Sequence, residues 1–410
     1  MRAIKLEKCR VCGSEDLHEV FDFGEQELTG VFPKSKTEKL TSGKLNLVFC
    51  PKCGLLQLGY SFPLEEMYGD NYGYRSGLNP TMVEHLAFKI NTLEEKYGLK
   101  AGDIVLDIGS NDGTSLNSYR TEGIRRIGMD PTGKKFGKYY QEGVELITEF
   151  FSAKLFQKIC DKKAKIVTTI SMFYDLPSPI DFAMQVEKIM ADDGIWHLEQ
   201  HYLPFVLRNN GYDTVSQEHV EYYSLSVIKY IMDAAGLRIL DVSTNDINGG
   251  SFTVTVAKQA SAYPSNTALI EWYLLQERAM GLDKTETYLE FAQRSAEHRD
   301  QLLDLLNRLN QAGKLVCGYG ASTKGNTVLM YAGITEKQIK VIGEVNSDKF
   351  GAYTPGTLIP IEDEKKVKAM RPDYMLVLPW HFRSWILEKE KDYLRSGGHF
   401  IFPFPYIEIV

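Results

Sequence analysis

The sequence has no excess of positive charge, no long apolar run and few cysteines, and each absence excludes a class of protein. Its 47 lysines and arginines are outnumbered by 54 aspartates and glutamates, so the formal net charge is −7. A general nucleic-acid binder needs a surplus of cations on one face, and we therefore expect no nucleic-acid partner. No run reaches the roughly 18 apolar residues of a transmembrane helix, so we expect no membrane partner either.

The N-terminus lacks the apolar core of a secretory signal, because residues 1–8 read MRAIKLEK. We therefore expect a cytoplasmic protein. With 410 residues, of which 43% are hydrophobic, the chain is too long for one ordinary domain.

The six cysteines are too sparse for a disulfide scaffold, and four of them form two close pairs. These four are Cys9, Cys12, Cys50 and Cys53. Two Cys-x-x-Cys pairs supply the four thiolates of a closed, structural zinc site, which leaves no open position for catalysis. The long gap between the pairs requires a hairpin or another excursion, and His18 lies in it as a competing ligand. We expect Cys160 and Cys317 to be reduced, structural thiols.

Alternating helical and strand-like segments follow the zinc pairs. Apolar residues recur at helical spacing over residues 79–97. The strands predicted after this helix are residues 104–107, 126–129, 145–147, 166–170, 194–198 and 252–256. This order predicts an α/β fold with a doubly wound sheet. Residues 266–310 predict one or two connecting helices, and strands at 314–317, 339–342 and 374–378 predict a second, smaller Rossmann-like domain.

We therefore divide the chain into three predicted domains. These are a zinc module (residues 1–75), a central Rossmann-like domain (76–258) and a C-terminal Rossmann-like domain that includes the helical connector (259–410). The first segment is rich in turn residues and has few periodic apolar stretches. We expect its metal, and not a core of its own, to hold it together.

A glycine-bearing turn, DIGSNDGT at residues 107–114, lies where the first central strand should lead into a helix. A dinucleotide-binding turn needs Gly-x-Gly-x-x-Gly, and Asn111 occupies the position of its second glycine, which argues against NAD. Asp130 closes the next strand, where a carboxylate can accept hydrogen bonds from two ribose hydroxyls. This arrangement favours S-adenosylmethionine (SAM), with Asp107 holding the loop or facing the methionine amino group and Gly109 permitting close approach.

Further cofactor contacts are expected from the same loop and from the end of the third strand. Asn111 and Asp112 belong to the loop, and Phe150 follows the strand together with Glu149 and Phe151. Phe150 is expected to line the adenine, although two adjacent phenylalanines are more often core residues. The alternative for the whole domain is a doubly wound fold without a cofactor.

Several segments together resemble one family. Besides the cysteine pairs, they are residues 72–76 (YGYRS), 108–114 (IGSNDGT), 217–224 (QEHVEYYS), 249–251 (GGS) and 318–321 (GYGA). The family is that of the three-domain sugar C-methyltransferases, which act on nucleotide-linked deoxysugars. The resemblance implies an N-terminal zinc domain, a central SAM domain and a C-terminal domain that positions the nucleotide-diphosphate sugar, usually a dTDP-linked ketosugar.

The resemblance also implies carbon methylation next to a keto group, with His219 as the general base and Glu218 and Tyr74 near the sugar. A proton α to a carbonyl is acidic enough for an imidazole to remove if the developing enolate oxygen is stabilised. Imidazole has a suitable pKa range for such a base.

The chain departs from the family pattern around the sugar. Ser216 and Gln217 stand where a tyrosine and a histidine are common, and Asp175 stands in place of a histidine. Two expected enolate-stabilising groups are therefore missing. Asn248 replaces the histidine before Gly-Gly-Ser, and Thr253 replaces the usual arginine after it. These changes keep the base and alter the lining of the sugar pocket.

Residues 318–325 (GYGASTKG) follow a predicted strand and open a predicted helix, a geometry that suits phosphate. The lysine precedes the last glycine, so the segment is not a Walker loop, although its charge suits a diphosphate. A purely structural turn explains the same segment equally well. The expected substrate contacts are Tyr222, Asn248, Tyr319, Lys324 and Glu344.

Two other functions stay open from the residues alone. One is methylation of a hydroxyl in a sugar or a related metabolite. The other is a zinc-bearing recognition protein that keeps a methyltransferase fold without catalysis. We expect the chain to be a monomer.

Overall fold

The computed structural model describes residues 3–67 and 73–410, which form four β-sheets together with their helices. The N-terminal elements are β1 (Ile4–Lys5), β2 (His18–Glu27), β3 (Ser42–Phe49), β4 (Leu56–Leu58), β5 (Tyr60–Ser61) and α1 (Leu64–Met67). Strands β2 and β3 pair antiparallel and lie between the two cysteine pairs, so the predicted hairpin is confirmed. Strands β1 and β5 form a separate two-stranded sheet.

The N-terminal segment buries apolar residues in a core that it shares with a distant helix, which the sequence did not predict. Phe21 of β2 and Phe49 of β3 are buried. Phe21 packs on Phe291 with ring centroids 5.6 Å apart, and Phe49 packs on Tyr288 at 4.7 Å. Both partners lie in the distant helix Thr285–Gln311. Two irregularities in the pairing of β2 break strict alternation along the strand, which hides the apolar pattern in the sequence.

The central part of the chain confirms the predicted α/β order. Its elements are α2 (Pro80–Lys96), β6 (Ile104–Ile108), α3 (Thr114–Asn117), β7 (Arg125–Met129), α4 (Gly133–Phe136), β8 (Val144–Ile147), α5 (Ala153–Ile159), β9 (Ala164–Ile170), α6 (Pro179–Ile189), β10 (Met190–His201), α7 (Leu203–Arg208), β11 (Glu221–Tyr222), α8 (Leu225–Ala234), β12 (Leu237–Asn245) and β13 (Ser251–Lys258). The Asn79 side chain caps α2 by accepting from the backbone N–H of Thr81, and apolar residues spaced three or four apart bury one face of this helix.

The central sheet has seven strands in the order β8-β7-β6-β9-β10-β13-β12. Strand β13 runs antiparallel to both neighbours, whereas β6 to β10 are parallel. Strand β12 was not predicted. The chain order reverses between β6 and β9, and ligands of such sheets bind outside the carboxyl ends of the strands at this point. The predicted cofactor loop follows β6 directly.

The C-terminal part begins with two helices, α9 (Thr267–Ala279) and α10 (Thr285–Gln311). They lie where the sequence predicts one or two connecting helices. The later elements are β14 (Val316–Tyr319), α11 (Thr323–Ala332), β15 (Ile342–Glu344), β16 (Ile361–Asp363), α12 (Glu364–Ala369), β17 (Tyr374–Val377), α13 (Arg383–Lys389), α14 (Lys391–Arg395), β18 (His399–Phe402) and β19 (Glu408–Ile409). Five parallel strands and the antiparallel β19 form the sheet β16-β15-β14-β17-β18-β19. The predicted second Rossmann-like sheet is confirmed.

One short strand connects the central part to the N-terminal sheet. Strand β11 pairs antiparallel with β4, so the order of the N-terminal sheet is β11-β4-β3-β2. The backbone N–H of Leu58 also donates to the carbonyl of Val220. The segment that carries His219 is thereby hydrogen-bonded to β4, the strand that follows the second cysteine pair. In the ranges that the structure describes, no helix has the length and apolarity to cross a membrane.

Candidate active site

The four paired cysteines come together in one cluster. The Sγ atoms of Cys9, Cys12, Cys50 and Cys53 all lie within 4.8 Å of one another, and the pairs Cys9–Cys53 and Cys12–Cys50 are each 3.5 Å apart. Four thiolates around zinc at about 2.3 Å place neighbouring sulfurs roughly 3.8 Å apart, so the cluster fits a tetrahedral zinc ion. His18 instead contacts Thr285 at 2.9 Å through Nδ1.

The predicted cofactor loop lies at the carboxyl end of β6. Asp107 is buried and accepts a hydrogen bond from the Thr168 hydroxyl at 2.6 Å. Burial raises the pKa of Asp107 to about 7. Gly109 has a φ of +75°, and a Cβ there would lie 2.9 Å from Met172 Cγ. A side chain at residue 109 would therefore strain the turn and fill the space beside it.

Asp130 braces the same loop from the end of β7. Its carboxylate accepts from the backbone N–H of Asn111 at 2.7 Å and from the N–H and hydroxyl of Thr132 at 2.7 and 2.6 Å. A carboxylate has about four acceptor positions, so roughly one stays available for a ligand. Phe150 is largely exposed, whereas Phe151 packs on Phe182. Of the two phenylalanines, Phe150 is thus available to line a ligand and Phe151 belongs to the core.

Asn111 and Asp112 hold the segment that carries Tyr74. The Asn111 amide accepts from the backbone N–H of Ser76 at 3.0 Å and donates to the carbonyl of Tyr74 at 3.2 Å. Asp112 accepts from the N–H of Gly77 at 2.9 Å. The cofactor loop therefore fixes the backbone of residues 74–77, while the Tyr74 side chain is half exposed. Tyr72, which shares the resembling segment, lies outside the described residues.

His219 has one ring nitrogen engaged and one free for chemistry. Its Nδ1–H donates to the carbonyl of Thr214 at 2.8 Å, which leaves the lone pair on Nε2. Burial, together with the positive charge of Lys324, lowers the pKa of His219 to about 4 even though its interaction with the Thr214 carbonyl opposes the shift. The ring packs edge-on against Tyr174 with centroids 4.6 Å apart. The imidazole is therefore neutral at pH 7.

Glu218 immediately precedes His219 in the same segment. Burial raises the pKa of its carboxyl to about 7. A Cβ built on Gly30 would lie only 2.3 Å from Glu218 Oε1, so the N-terminal loop contacts this carboxyl closely. Both Tyr74 and Glu218 act electrostatically on Tyr174. Of the three predicted catalytic residues, His219 packs on Tyr174, and Tyr74 and Glu218 act on it electrostatically; the catalytic roles of all three stay predictions.

A second group of polar side chains meets His219, and sequence reasoning missed most of it. His201 ends β10, and its ring lies 5.4 Å from that of His219. Lys324 donates to His201 Nε2 at 3.0 Å and to the carbonyl of Asn248 at 2.8 Å. Nearby, Asp213 accepts from the Trp380 indole N–H at 2.7 Å. No motif marks His201, Asp213 or Trp380 in the sequence, because only folding brings them together.

Two positions at which the sequence departs from the family pattern, Ser216 and Gln217, lie in the segment that carries His219. Ser216 is buried, and its hydroxyl has no partner among the described residues. Gln217 accepts from the N–H and hydroxyl of Thr29, both at 3.1 Å. Tyr222 is buried in β11, and burial raises the pKa of its phenol well above 10. The Gln217 side chain therefore binds the N-terminal loop that contains Thr29.

Of the three C-terminal residues predicted to contact substrate, only Lys324 reaches His201. The Tyr319 hydroxyl donates to Glu390 at 2.9 Å within the C-terminal part. Glu344 accepts from the N–H of Ala321 at 2.9 Å and thereby braces the glycine-rich turn. Their contacts with substrate stay predictions.

Comparisons with known proteins match the chain in three segments. A zinc binding domain model matches residues 9–68, a methyltransferase domain model matches residues 82–242, and a C-methyltransferase C-terminal domain model matches residues 246–405. The chain is 32% identical to the C-methyltransferase NovU of Streptomyces niveus over 409 residues, which cover 99% of this chain and 97% of NovU.

Two solved structures are each similar to 43% of the chain. A complex of the Trm112 methyltransferase activator with a methyltransferase from Haloferax volcanii matches at 15% identity and a TM-score of 0.33, over 43% of this chain and 98% of the other. A SAM-dependent methyltransferase from Aquifex aeolicus matches at 17% identity and a TM-score of 0.32, over 43% of this chain and 97% of the other.

Proposed function

The chain belongs to the family of C-methyltransferases with an N-terminal zinc-binding domain, and from this premise we propose that it methylates a carbon next to the ketone of a nucleotide-diphosphate sugar. Membership establishes the reaction class: the chain is a SAM-dependent methyltransferase whose acceptor atom is carbon. Methylation of a hydroxyl and recognition without catalysis, the two alternatives from the sequence, are therefore not proposed.

SAM, when bound, supplies a methyl group that is electrophilic because it is attached to a sulfonium. The residues that would hold it surround the turn after β6. Gly109 keeps the turn open, Asp130 retains about one acceptor position for a ribose hydroxyl, and Phe150 offers an exposed ring for the adenine.

His219 is proposed as the general base, and one observation carries this assignment. Its Nδ1–H is bound to the Thr214 carbonyl, so the basic lone pair is on Nε2, in the tautomer that proton removal requires. The lowered pKa keeps this nitrogen unprotonated at neutral pH. Glu218 and Tyr74 are proposed to bind hydroxyl or carbonyl oxygens of the sugar.

The proposed substrate is a dTDP-linked ketosugar, and the proposed active form is the monomer. The resemblance of the motifs supports the nucleotide sugar, and the contact of Lys324 with His201 supports a substrate that spans the central and C-terminal parts. Methyl transfer to dTDP-, CDP-, GDP- and UDP-ketosugars, followed by mass spectrometry, tests the nucleotide.

A test of the base uses proton exchange. With S-adenosylhomocysteine in place of SAM, the wild-type chain should exchange the α proton of the ketosugar for deuterium in D₂O. His219→Gln should reduce both exchange and methyl transfer by about 10²–10⁴-fold, the usual contribution of a general base. His399→Gln, which removes an exposed histidine, is the matched control and should retain both activities. Near-normal exchange in His219→Gln with intact SAM binding would reject the assignment.

A further inference from the structure

We propose that Lys324 is a catalytic residue, whose ammonium donates a hydrogen bond to the carbonyl oxygen of the sugar while His219 removes the α proton. This inference rests on the proposed function and goes beyond it, because it replaces a diphosphate contact with a role in the chemical step. As the C–H bond breaks, the proton goes to His219 Nε2 and the electron pair forms the enolate double bond. The carbonyl π pair moves to oxygen, which becomes negatively charged. When the enolate carbon then forms its bond to the methyl group, the sulfur–methyl bond of SAM would break, its electron pair would leave on the sulfur of S-adenosylhomocysteine, and the ketone would be restored.

Lys324 carries a buried positive charge that no neighbouring carboxylate balances in the described part of the chain. Within residues 3–67 and 73–410, the ammonium contacts His201 and the Asn248 carbonyl but forms no ion pair with a carboxylate, and Asp213 attracts it only from a longer distance. The Asp213 carboxylate is itself held by the Trp380 indole. Burial lowers the pKa of Lys324, which shows that its surroundings replace little of the lost water. A desolvated cation without a partner is costly, so the site favours an anionic ligand.

The geometry leaves Lys324 one donor without a partner among the described residues, and its partner His201 lies beside the His219 ring. An ammonium has three N–H groups, and two of them are bound to His201 Nε2 and to the Asn248 carbonyl. His201 accepts from Lys324, and burial lowers its pKa well below 6.5, so it is a neutral acceptor and not a second cation. His201 therefore holds the ammonium in place and carries no positive charge itself.

The same charge acts on the proposed base. Lys324 contributes to the lowered pKa of His219, and the ring of His201, which holds Lys324, lies 5.4 Å from the His219 ring. A positive charge at this position favours an anion that develops beside His219, which is where the enolate oxygen forms. Removal of one such donor typically reduces kcat by about 10²–10³-fold.

An anion at Lys324 has two possible sources, the enolate oxygen and the substrate diphosphate, and kinetics of Lys324→Met distinguish them. We expect kcat for methyl transfer to a dTDP-ketosugar, and the rate of α-proton exchange, to fall by about 10²–10³-fold. The Kd of dTDP alone, measured by calorimetry, and the Kd of SAM should change by less than about 2-fold, because neither ligand contains the ketone. A Kd of dTDP weakened by about 10-fold or more, with kcat unchanged at saturation, would assign the lysine to the diphosphate and overturn the proposal.

Lys165→Met is the matched control. Lys165 is also buried and donates to a backbone carbonyl, that of Asp193, so its removal tests the general effect of losing such a cation. We expect it to keep kcat within about 2-fold. Equal losses in both variants would overturn the proposal. If Lys324→Met does not fold, Lys324→Gln takes its place, because its amide can still donate to Asn248. Absence of α-proton exchange in the wild-type chain would instead refute the proposed function itself.

Discussion

At the scale of single residues, Glu218 and His219 are neighbours in sequence with opposite pKa shifts. Burial disfavours the charged form of either group, so it raises the pKa of the carboxyl to about 7 and lowers that of the imidazole to about 4. Between these values both side chains are neutral. A neutral carboxyl can donate a hydrogen bond to the sugar, whereas a carboxylate would repel the negative charge that develops on the enolate.

This pair predicts a bell-shaped dependence of kcat/KM on pH. Activity should rise as pH increases through about 4, because His219 loses its proton and becomes a base. It should fall as pH increases through about 7, because Glu218 ionises. In Glu218→Gln the falling limb should disappear, since the amide stays neutral at every pH. The measurement is kcat/KM for methyl transfer from pH 3 to pH 9.

Asp107 is a second group whose ionisation would lower activity near pH 7, so the test has to distinguish it from Glu218. Its pKa is also raised to about 7, and its carboxyl lies at the cofactor loop. A falling limb that persists unchanged in Glu218→Gln would exclude Glu218 as its origin and indicate another group such as Asp107.

At the scale of elements, the loop between β2 and β3 reaches the active site from the N-terminal part. Gln217 and Asn326 both bind Thr29: Gln217 accepts from its N–H, and Asn326 donates to its carbonyl at 2.8 Å. The next residue, Gly30, faces Glu218 where a Cβ would lie 2.3 Å from Oε1. The loop is therefore held from two sides, and its glycine sets the position of the Glu218 carboxyl.

We predict that Gly30→Ala lowers activity with little effect on stability. The added methyl would displace Glu218 Oε1, the far end of a flexible side chain, so folding can accommodate it. Misplacement of a substrate-binding group by about 1 Å can reduce the rate by up to roughly 10²-fold. We expect kcat/KM to fall by about 10- to 100-fold, while Tm measured by calorimetry changes by less than about 2 °C.

Gly137→Ala is the control for this variant. Its Cβ would lie 3.3 Å from Leu146 Cδ2 in the central part, away from Glu218. Full activity in Gly30→Ala, with a native Tm, would show that the loop does not position Glu218.

At the scale of the whole molecule, one sheet connects the four-cysteine cluster to the segment that carries the proposed base. Strand β4 begins three residues after Cys53 and pairs with β11, which begins two residues after His219. Arg10, between the first two cysteines, donates to Gln57 and to the Leu58 carbonyl of β4. A metal that orders the cysteine pairs thereby also orders the segment around the base.

We predict that zinc removal abolishes activity by loosening this segment. Zinc binding contributes about 10–16 kcal/mol in peptide models, which exceeds the stability of most domains. After chelation, hydrogen exchange should accelerate in residues 217–222 and in β2 to β4, and methyl transfer should be lost. The strands β6, β7 and β9 of the central sheet should keep their protection, because they are hydrogen-bonded to one another.

Two cysteine variants separate metal loss from thiol loss. Cys50→Ser removes a zinc ligand and should reproduce the effect of chelation. Cys160→Ser removes a buried thiol that donates to the Lys162 carbonyl, a bond that a hydroxyl can replace, and should stay active. Retained activity and unchanged exchange in the zinc-free chain would contradict the coupling.

The sequence by itself determined the zinc ligands, the alternation of the central sheet and the turn after its first strand. These features are encoded by residues close together in the chain: two Cys-x-x-Cys pairs, helical spacing at Met82, Leu86 and Ile90, and a glycine followed by acids. Local geometry acts over a few residues, so short patterns suffice to predict it. The strand β12 was missed because its apolar residues are interrupted by Asp241 and Ser243.

Only the tertiary structure decided which groups surround the proposed base. His201 and Lys324 are 123 positions apart in the chain, and Thr29 and Gln217 are 188 apart, yet each pair forms a hydrogen bond. The same applies to the core that Phe21 shares with Phe291. Such contacts depend on how whole sheets pack, and neither residue of a pair carries a local pattern that identifies the other. The resemblance of short motifs predicts the base, whereas the packing of distant segments places Lys324, the loop that contains Thr29 and the strand β4 around the segment that carries it.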